Sequence, residues 1–331
     1  MIIIGGSGST GSSLLQSILN RHPKIVAGQE TSIFIYPHLY HQWSRYKRFL
    51  IDKGPFGVKS TGWSIRNGMD LLHEDYGWQK GELLAVIRQT DNMNEFVDAF
   101  FERPLLKKGA STWVEKTPQN ACAFYEFLTE FPQGKVVHMV RDPYDTMASL
   151  IARGFEPYLA AGYYVYHTAA AASADQLDPY ICIDYTDLVD KPEDTMRILM
   201  NFIGLDFDPT MLVPSKKEVE NPLKLKGWNH SERDYVKRSS LGRFEKLSKE
   251  EKNEIIAALQ VFQISKRHMF KFRMKFSNFK ELCKYYDYEY QEVDPSPFIS
   301  SMKISRYRDM MSRTLRLHPG HILNYPGNII Q

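Results

Sequence analysis

The first thirteen residues constrain the fold more than any other stretch. Met1 and three isoleucines make a continuous apolar run that stops at Gly5-Gly6. Such a run predicts a short buried strand over Met1–Ile4. The loop Gly5-Gly6-Ser7-Gly8-Ser9-Thr10-Gly11 follows. Ser12–Arg21 then reads as a helix with Leu14, Leu15, Ile18 and Leu19 on one face, ended by His22-Pro23. A strand that passes through glycines into a helix start is an anion site. Glycine lets the backbone turn and approach the ligand, and the unpaired N–H groups of the first helical turn point at it. The loop departs from GxxxxGK[ST], because Ser12 stands where that motif has lysine. It matches GxGxxG in letters through Gly6, Gly8 and Gly11. Glu30 lies near the distance of the acidic residue of a dinucleotide fold, but a His-Pro break precedes it and no strong strand does.

Beyond this unit the chain alternates. Helical stretches fall between about Tyr36 and Glu102, and Ser111–Val114 reads as a strand. Ala121–Phe131 reads as a helix and Lys135–Val140 as a buried strand. Pro143–Arg153 and Pro157–Ala174 read as helices, Tyr180–Tyr185 as a strand and Pro192–Ile203 as a helix. Alternation of this kind predicts an α/β fold with a parallel sheet. The chain is loop-like from about Asp206 to Ser248, and Ser248–Lys271 reads as one helix. The last sixty residues are charged and aromatic without a recognisable pattern. One domain over residues 1–270 with an extension over residues 271–331 packed on it is the expected organisation.

Composition narrows the partners. With 42 Lys and Arg against 39 Asp and Glu, the net charge is only +3, too balanced for a surface that wraps nucleic acid. Cys122, Cys182 and Cys283 are far apart and form no CxxC pair, so neither a structural metal nor a disulfide framework is expected. No apolar run approaches the ~20 residues of a membrane span. The apolar start runs straight into glycines rather than into a signal-peptide pattern. A cytoplasmic protein with reduced thiols is the expectation.

A second anion signal lies after Lys135–Val140. That strand delivers Arg141 at its carboxyl end, where ligands bind open α/β sheets, and Ser149 follows two helical turns later. The pair can clamp one phosphate, although an Arg–Asp ion pair beside a solvent-facing Ser would read the same way.

Taken together, four segments resemble the sulfotransferases that use 3′-phosphoadenosine 5′-phosphosulfate (PAPS). GGSGSTGSSLLQSILNRHP resembles the family's 5′-phosphosulfate loop. VVHMVRDPYDTMAS resembles its 3′-phosphate motif. IDYTDLVDKPEDTMRILMNFIGL resembles its strand–turn–helix, and VKRSSLGRFEKLS its late nucleotide-covering loop, with Gly242 in the place of the family's glycine. They span the chain from residue 1 to about 260. HPKIVAGQET and Glu115-Lys116-Thr117-Pro118 are most similar to tyrosylprotein sulfotransferases.

The resemblance implies a P-loop-like three-layer α/β/α sandwich with a central parallel sheet. It implies Glu30 as general base, with Glu115 as runner-up, and Lys116 at the leaving phosphate oxygen. Gly8, Ser9, Thr10, Gly11, Ser12 and Ser13 would hold the 5′-phosphosulfate. Arg141 and Ser149 would hold the 3′-phosphate, and Lys237 and Arg238 would close over it. The family usually has a loop Arg or Lys where Ser9 stands here. Lys116 then carries that charge alone, or Arg21, Arg153 or Lys237 reaches in. Tyr163, Tyr164 and Tyr166 are candidates for the acceptor wall, against a core role. His38 and His41 read as surface residues. The implied partners are PAPS and a hydroxyl or amine acceptor, with no metal. The alternatives are a non-catalytic nucleotide binder and a kinase-like P-loop enzyme; the missing loop lysine and the lack of a clear magnesium-binding acid speak against the second.

Overall fold

The computed structural model describes residues 1–28, 30–51, 76–213, 241–316 and 327–329. In chain order the elements are β1 (Ile2–Gly6), α1 (Ser12–Asn20), β2 (Ile25–Val26), α2 (Trp43–Ile51), α3 (Lys80–Gln89) and α4 (Met93–Lys108). Then come β3 (Thr112–Lys116), α5 (Phe124–Glu130), β4 (Lys135–Val140), α6 (Pro143–Ile151), α7 (Pro157–Ala172), β5 (Tyr180–Asp184), α8 (Tyr185–Asp190) and α9 (Pro192–Ile203). The remainder is α10 (Lys249–Val261), β6 (Phe262–Ile264), α11 (Lys266–Lys271), α12 (Phe279–Tyr286), α13 (Ile299–Arg316) and β7 (Gly327–Ile329).

Five strands form one parallel sheet in the order β2-β3-β1-β4-β5. The isoleucine run is central: Ile2 is in register with Val114 on one side and Lys135 on the other. Alternation along β1 explains why the run is apolar throughout. Ile2 and Ile4 pack with Leu15, Ile18, Val137, Leu199 and Met200 on one face, and Ile3 packs with Phe124, Phe127 and Val136 on the other. A strand covered on both faces by helices leaves no polar position. A third cluster joins α6 and α7 to α10, α12 and α13 through Tyr164, Leu259, Phe279, Leu282 and Met302. This is the expected central parallel sheet flanked by helices.

Several boundaries differ from the sequence expectations. Residues 121–123 belong to a 3-10 turn, Pro118–Ala123, and the α-helix starts only at Phe124. The expected single helix over Ser248–Lys271 is two helices broken by β6, which pairs antiparallel with β7, and Ser265 caps the next helix through the His268 N–H. Tyr185 ends no strand; Asp184 caps α8 there by accepting the Thr186 N–H. A two-residue strand, β2, does precede Glu30. The charged and aromatic C-terminal stretch holds α12 and α13, whose inward positions were hidden among Tyr, Lys and Arg.

Candidate active site

The carboxyl ends of β1, β3 and β4 meet at the point where the chain leaves β1 toward one edge and β4 toward the other. That crevice is where an open α/β sheet binds ligands. A cavity of about 380 Å³ opens there, lined by Gly8, Ser9, Gly11, Ser12 and Ser13 of the glycine loop, and by Glu30, Pro118, Gln119, Leu150, Arg153, Phe155 and Tyr163.

The loop is shaped by backbone demands. Gly11 precedes α1 at φ 89°, and a Cβ on it would fall onto the Tyr185 ring. Ser9 also takes the left-handed region, at φ 67°. Two arginines hold it: Arg141 Nη1 donates to the Ser9 carbonyl at 3.0 Å, and Arg153 Nη1 donates to Ser9 Oγ at 3.1 Å. A non-glycine residue in this conformation costs about 1–3 kcal/mol unless its surroundings enforce it. Thr10 faces inward; its hydroxyl donates to the Ser7 carbonyl at 2.8 Å, so its side chain does not line the cavity.

Glu30 and Lys116 meet at the start of α1. Lys116 Nζ donates to Glu30 Oε1 at 2.5 Å and to Ser13 Oγ at 3.1 Å. The Lys116 side chain is 4% exposed and that of Glu30 is 33% exposed, so the carboxylate is the solvent-facing partner. Glu115, one residue before Lys116 on β3, points to the other face and is 0% exposed. Its Oε1 accepts from the Thr31 N–H at 2.9 Å, the Thr31 hydroxyl at 2.8 Å and the Thr117 hydroxyl at 2.7 Å. Its Oε2 accepts from Asn120 Nδ2 at 2.6 Å. A buried carboxylate needs such donors to offset its desolvation. Glu115 therefore fastens the loop after β2 to β3, one residue beyond Glu30, and it lies outside the cavity wall.

Arg141, between β4 and α6, meets Ser149 of α6: Arg141 Nη1 donates to Ser149 Oγ at 3.2 Å. Arg141 is 3% exposed, lies over the Tyr185 ring at 4.8 Å and pairs with Asp145 at 3.5 Å. Burial pulls its guanidinium below the usual value, and Tyr185 and Asp145 oppose that shift. The N-cap of α6 is Asp142, whose Oδ1 accepts the Asp145 N–H. The ion-pair partner of Arg141 is Asp145, not Asp142.

Of Arg21, Arg153 and Lys237, Arg153 lines the cavity beside Ser9. Burial lowers its pKa, and Tyr163 and Glu30 oppose this. Arg21 sits at the far end of α1, donating to the Met211 carbonyl at 3.0 Å. Lys237, like Arg238, lies outside the described residues. Tyr163 lines the cavity and accepts from Gln119 Nε2 at 2.7 Å. Burial and then Glu30 push its phenol up. Tyr164 is in the core, and Tyr166 packs on His268 and Phe272. His38 and His41 are exposed. Gln119 and Phe155 were not anticipated; they carry no motif and reach the site through the turn after β3 and the loop after α6.

A central parallel sheet flanked by helices, with a glycine loop at its switch point beside buried cations, defines an α/β fold of this layered kind. The chain belongs to the sulfotransferase family, whose profile matches residues 2–209. It is 25% identical to protein-tyrosine sulfotransferase 1 of Danio rerio over 224 residues, 64% of this chain and 55% of that protein. The chain thus spans about half the length of this relative. Its fold is similar to the sulfotransferase domain from the curacin biosynthetic pathway, with TM-score 0.56, 15% identity, and 88% of this chain and 98% of that one covered. It is similar also to the sulfotransferase domain of the Synechococcus PCC 7002 olefin synthase, with TM-score 0.51, 16% identity, and 75% and 88% covered.

Proposed function

We propose that this protein moves a sulfuryl group from PAPS to a hydroxyl or amine acceptor by in-line transfer. The observation that carries the proposal is the contiguous set Glu30–Lys116–Ser13 at the mouth of the glycine loop. The set places a solvent-facing carboxylate and a buried cation beside an anion-binding helix start. The residues suit the co-substrate: the Ser9 and Gly11–Ser13 stretch would hold its 5′-phosphosulfate, and the buried Arg141–Ser149 pair its 3′-phosphate. Lys237 and Arg238 are proposed to close over it.

In the proposed step Glu30 takes the proton of the acceptor. The bond from acceptor oxygen or nitrogen to sulfur forms as the bond from sulfur to the phosphate oxygen breaks. That oxygen keeps the electron pair, and Lys116 meets its charge. No metal ion enters this step. Arg153 at Ser9 supplies the cation that the loop itself lacks, which favours a catalytic over a purely binding role. The side chains of Pro118, Leu150, Phe155 and Tyr163 suit the apolar body of an acceptor.

Calorimetry comparing 3′-phosphoadenosine 5′-phosphate (PAP) with ADP and NAD tests the proposal. PAP should bind best, and Arg141→Ala should remove the preference. Equal or better binding of ADP or NAD to the wild-type protein would defeat it.

A further inference from the structure

One buried carboxylate beside Arg141 is not used by the proposed reaction. Asp145 is 7% exposed and lies in the first turn of α6. Its Oδ2 accepts from the Gly242 N–H at 2.8 Å, and its Oδ1 from the Phe244 N–H at 2.9 Å. Oδ2 also lies 3.5 Å from Arg141 Nη2. One carboxylate thus joins Arg141 to a stretch of chain 97 to 99 residues later. Gly242 is left-handed, at φ 68°, and the Phe244 ring lies 5.0 Å from that of Tyr144, so the stretch is held on α6 by packing as well. Arg243, between the two anchored amides, is close enough to Arg141 to lower its pKa.

We propose that Asp145 is a positioning residue for recognition of the 3′-phosphate, holding Arg141 and residues 242–244 in one arrangement. The inference rests on the PAPS reading. Charge alone gives the opposite sign: an anion next to a phosphate site repels the ligand, and its removal strengthens binding. Loss of positioning weakens it, because the guanidinium no longer waits in the binding geometry. Asp145→Asn separates the two. It keeps the volume, but its amide group faces one of the two N–H donors with a donor of its own and forms no ion pair with Arg141.

Calorimetry of wild type and Asp145→Asn with PAP and with ADP reads the difference. The variant should bind PAP at least tenfold more weakly, with ADP affinity held within about twofold. Unchanged or tighter PAP binding would overturn the inference. A wild-type protein that already lacks PAP preference would instead defeat the PAPS reading itself. Amide exchange in the wild-type protein gives a second test that needs no variant. PAP should slow exchange at Gly242 and Phe244 at least tenfold more than ADP does; equal protection by both ligands would overturn the inference.

Discussion

The two carboxylates named as candidate bases, Glu30 and Glu115, differ in what already occupies them. Glu30 is partly exposed and has one cation on it, whereas Glu115 is enclosed and accepts four hydrogen bonds. Glu30→Gln should lower turnover by about 10²–10⁴-fold and leave PAP affinity within about twofold. Glu115→Ala should act on the fold first. It strands buried donors on Thr31, Thr117 and Asn120, each worth about 1–3 kcal/mol when left unpaired, and should move the urea midpoint down sharply. Wild-type turnover in Glu30→Gln, or an unmoved midpoint in Glu115→Ala, would reverse these assignments. Glu30 and Lys116 were legible because each sits in a segment resembling a known motif. The work of Glu115 was not, since the Thr31 that fills its Oε1 is 84 residues away in sequence. Arg153 was one of several cations until the loop brought Ser9 beside it.

At the scale of the element, the β1–loop–α1 unit is where local rules and tertiary contact agree. Gly11 combines a left-handed φ with contact against Tyr185, the first residue of α8. Gly11→Ala should therefore cost more than the roughly 1 kcal/mol of a backbone penalty alone, because the Tyr185 ring must also move. A thermal midpoint within 1 °C of wild type would contradict this. Strands of consecutive isoleucine or valine were readable because two covered faces leave a continuous apolar run. The turn at Pro118–Ala123 and the strand Phe262–Ile264 were not, because pairing partners and neighbours decide them rather than propensity. In α12, Phe279, Leu282 and Cys283 are its buried positions, a stripe too short to stand out beside two tyrosines and two lysines.

The whole molecule is tied together by groups that reach across its layers. His138, in the middle of β4, is fully buried; its Nδ1 lies 2.7 Å from the Tyr180 hydroxyl and 3.4 Å from that of Tyr286 on α12. Burial lowers its pKa to about 3 from an ordinary 6.5. Above pH 6.5 both folded and unfolded chains keep it neutral and it contributes nothing. Below 6.5 the unfolded chain binds a proton that the folded chain refuses, so stability falls with pH until about 3 is reached. The slope is up to about 1.4 kcal/mol per pH unit, or roughly 2 kcal/mol between pH 7 and 5. Urea titrations at those two pH values should give a smaller difference for His138→Gln than for wild type; the same difference in both would show that His138 is not the sensor. We propose that the described part of the C-terminal extension, residues 271–316, belongs to the same body as the sheet, since Tyr286, Phe279 and Met302 pack toward α6, α7 and β4; the rest of residues 271–331 but for β7 lies outside the described residues.

The place of β1 in the sheet also bears on how the protein is made. Both neighbours of Ile2, Val114 and Lys135, are translated more than a hundred residues later. At about 5–20 residues per second, the isoleucine run and the glycine loop wait roughly 5–20 s before either flanking strand exists. During that interval this apolar strand is unpaired on both edges, and Lys116, Arg141 and Ser149 are still absent from the site. Binding competence should therefore arrive on the ribosome only after β4, α6 and α7 have emerged, and β1 is the strand that a chaperone would have to cover until its partners exist.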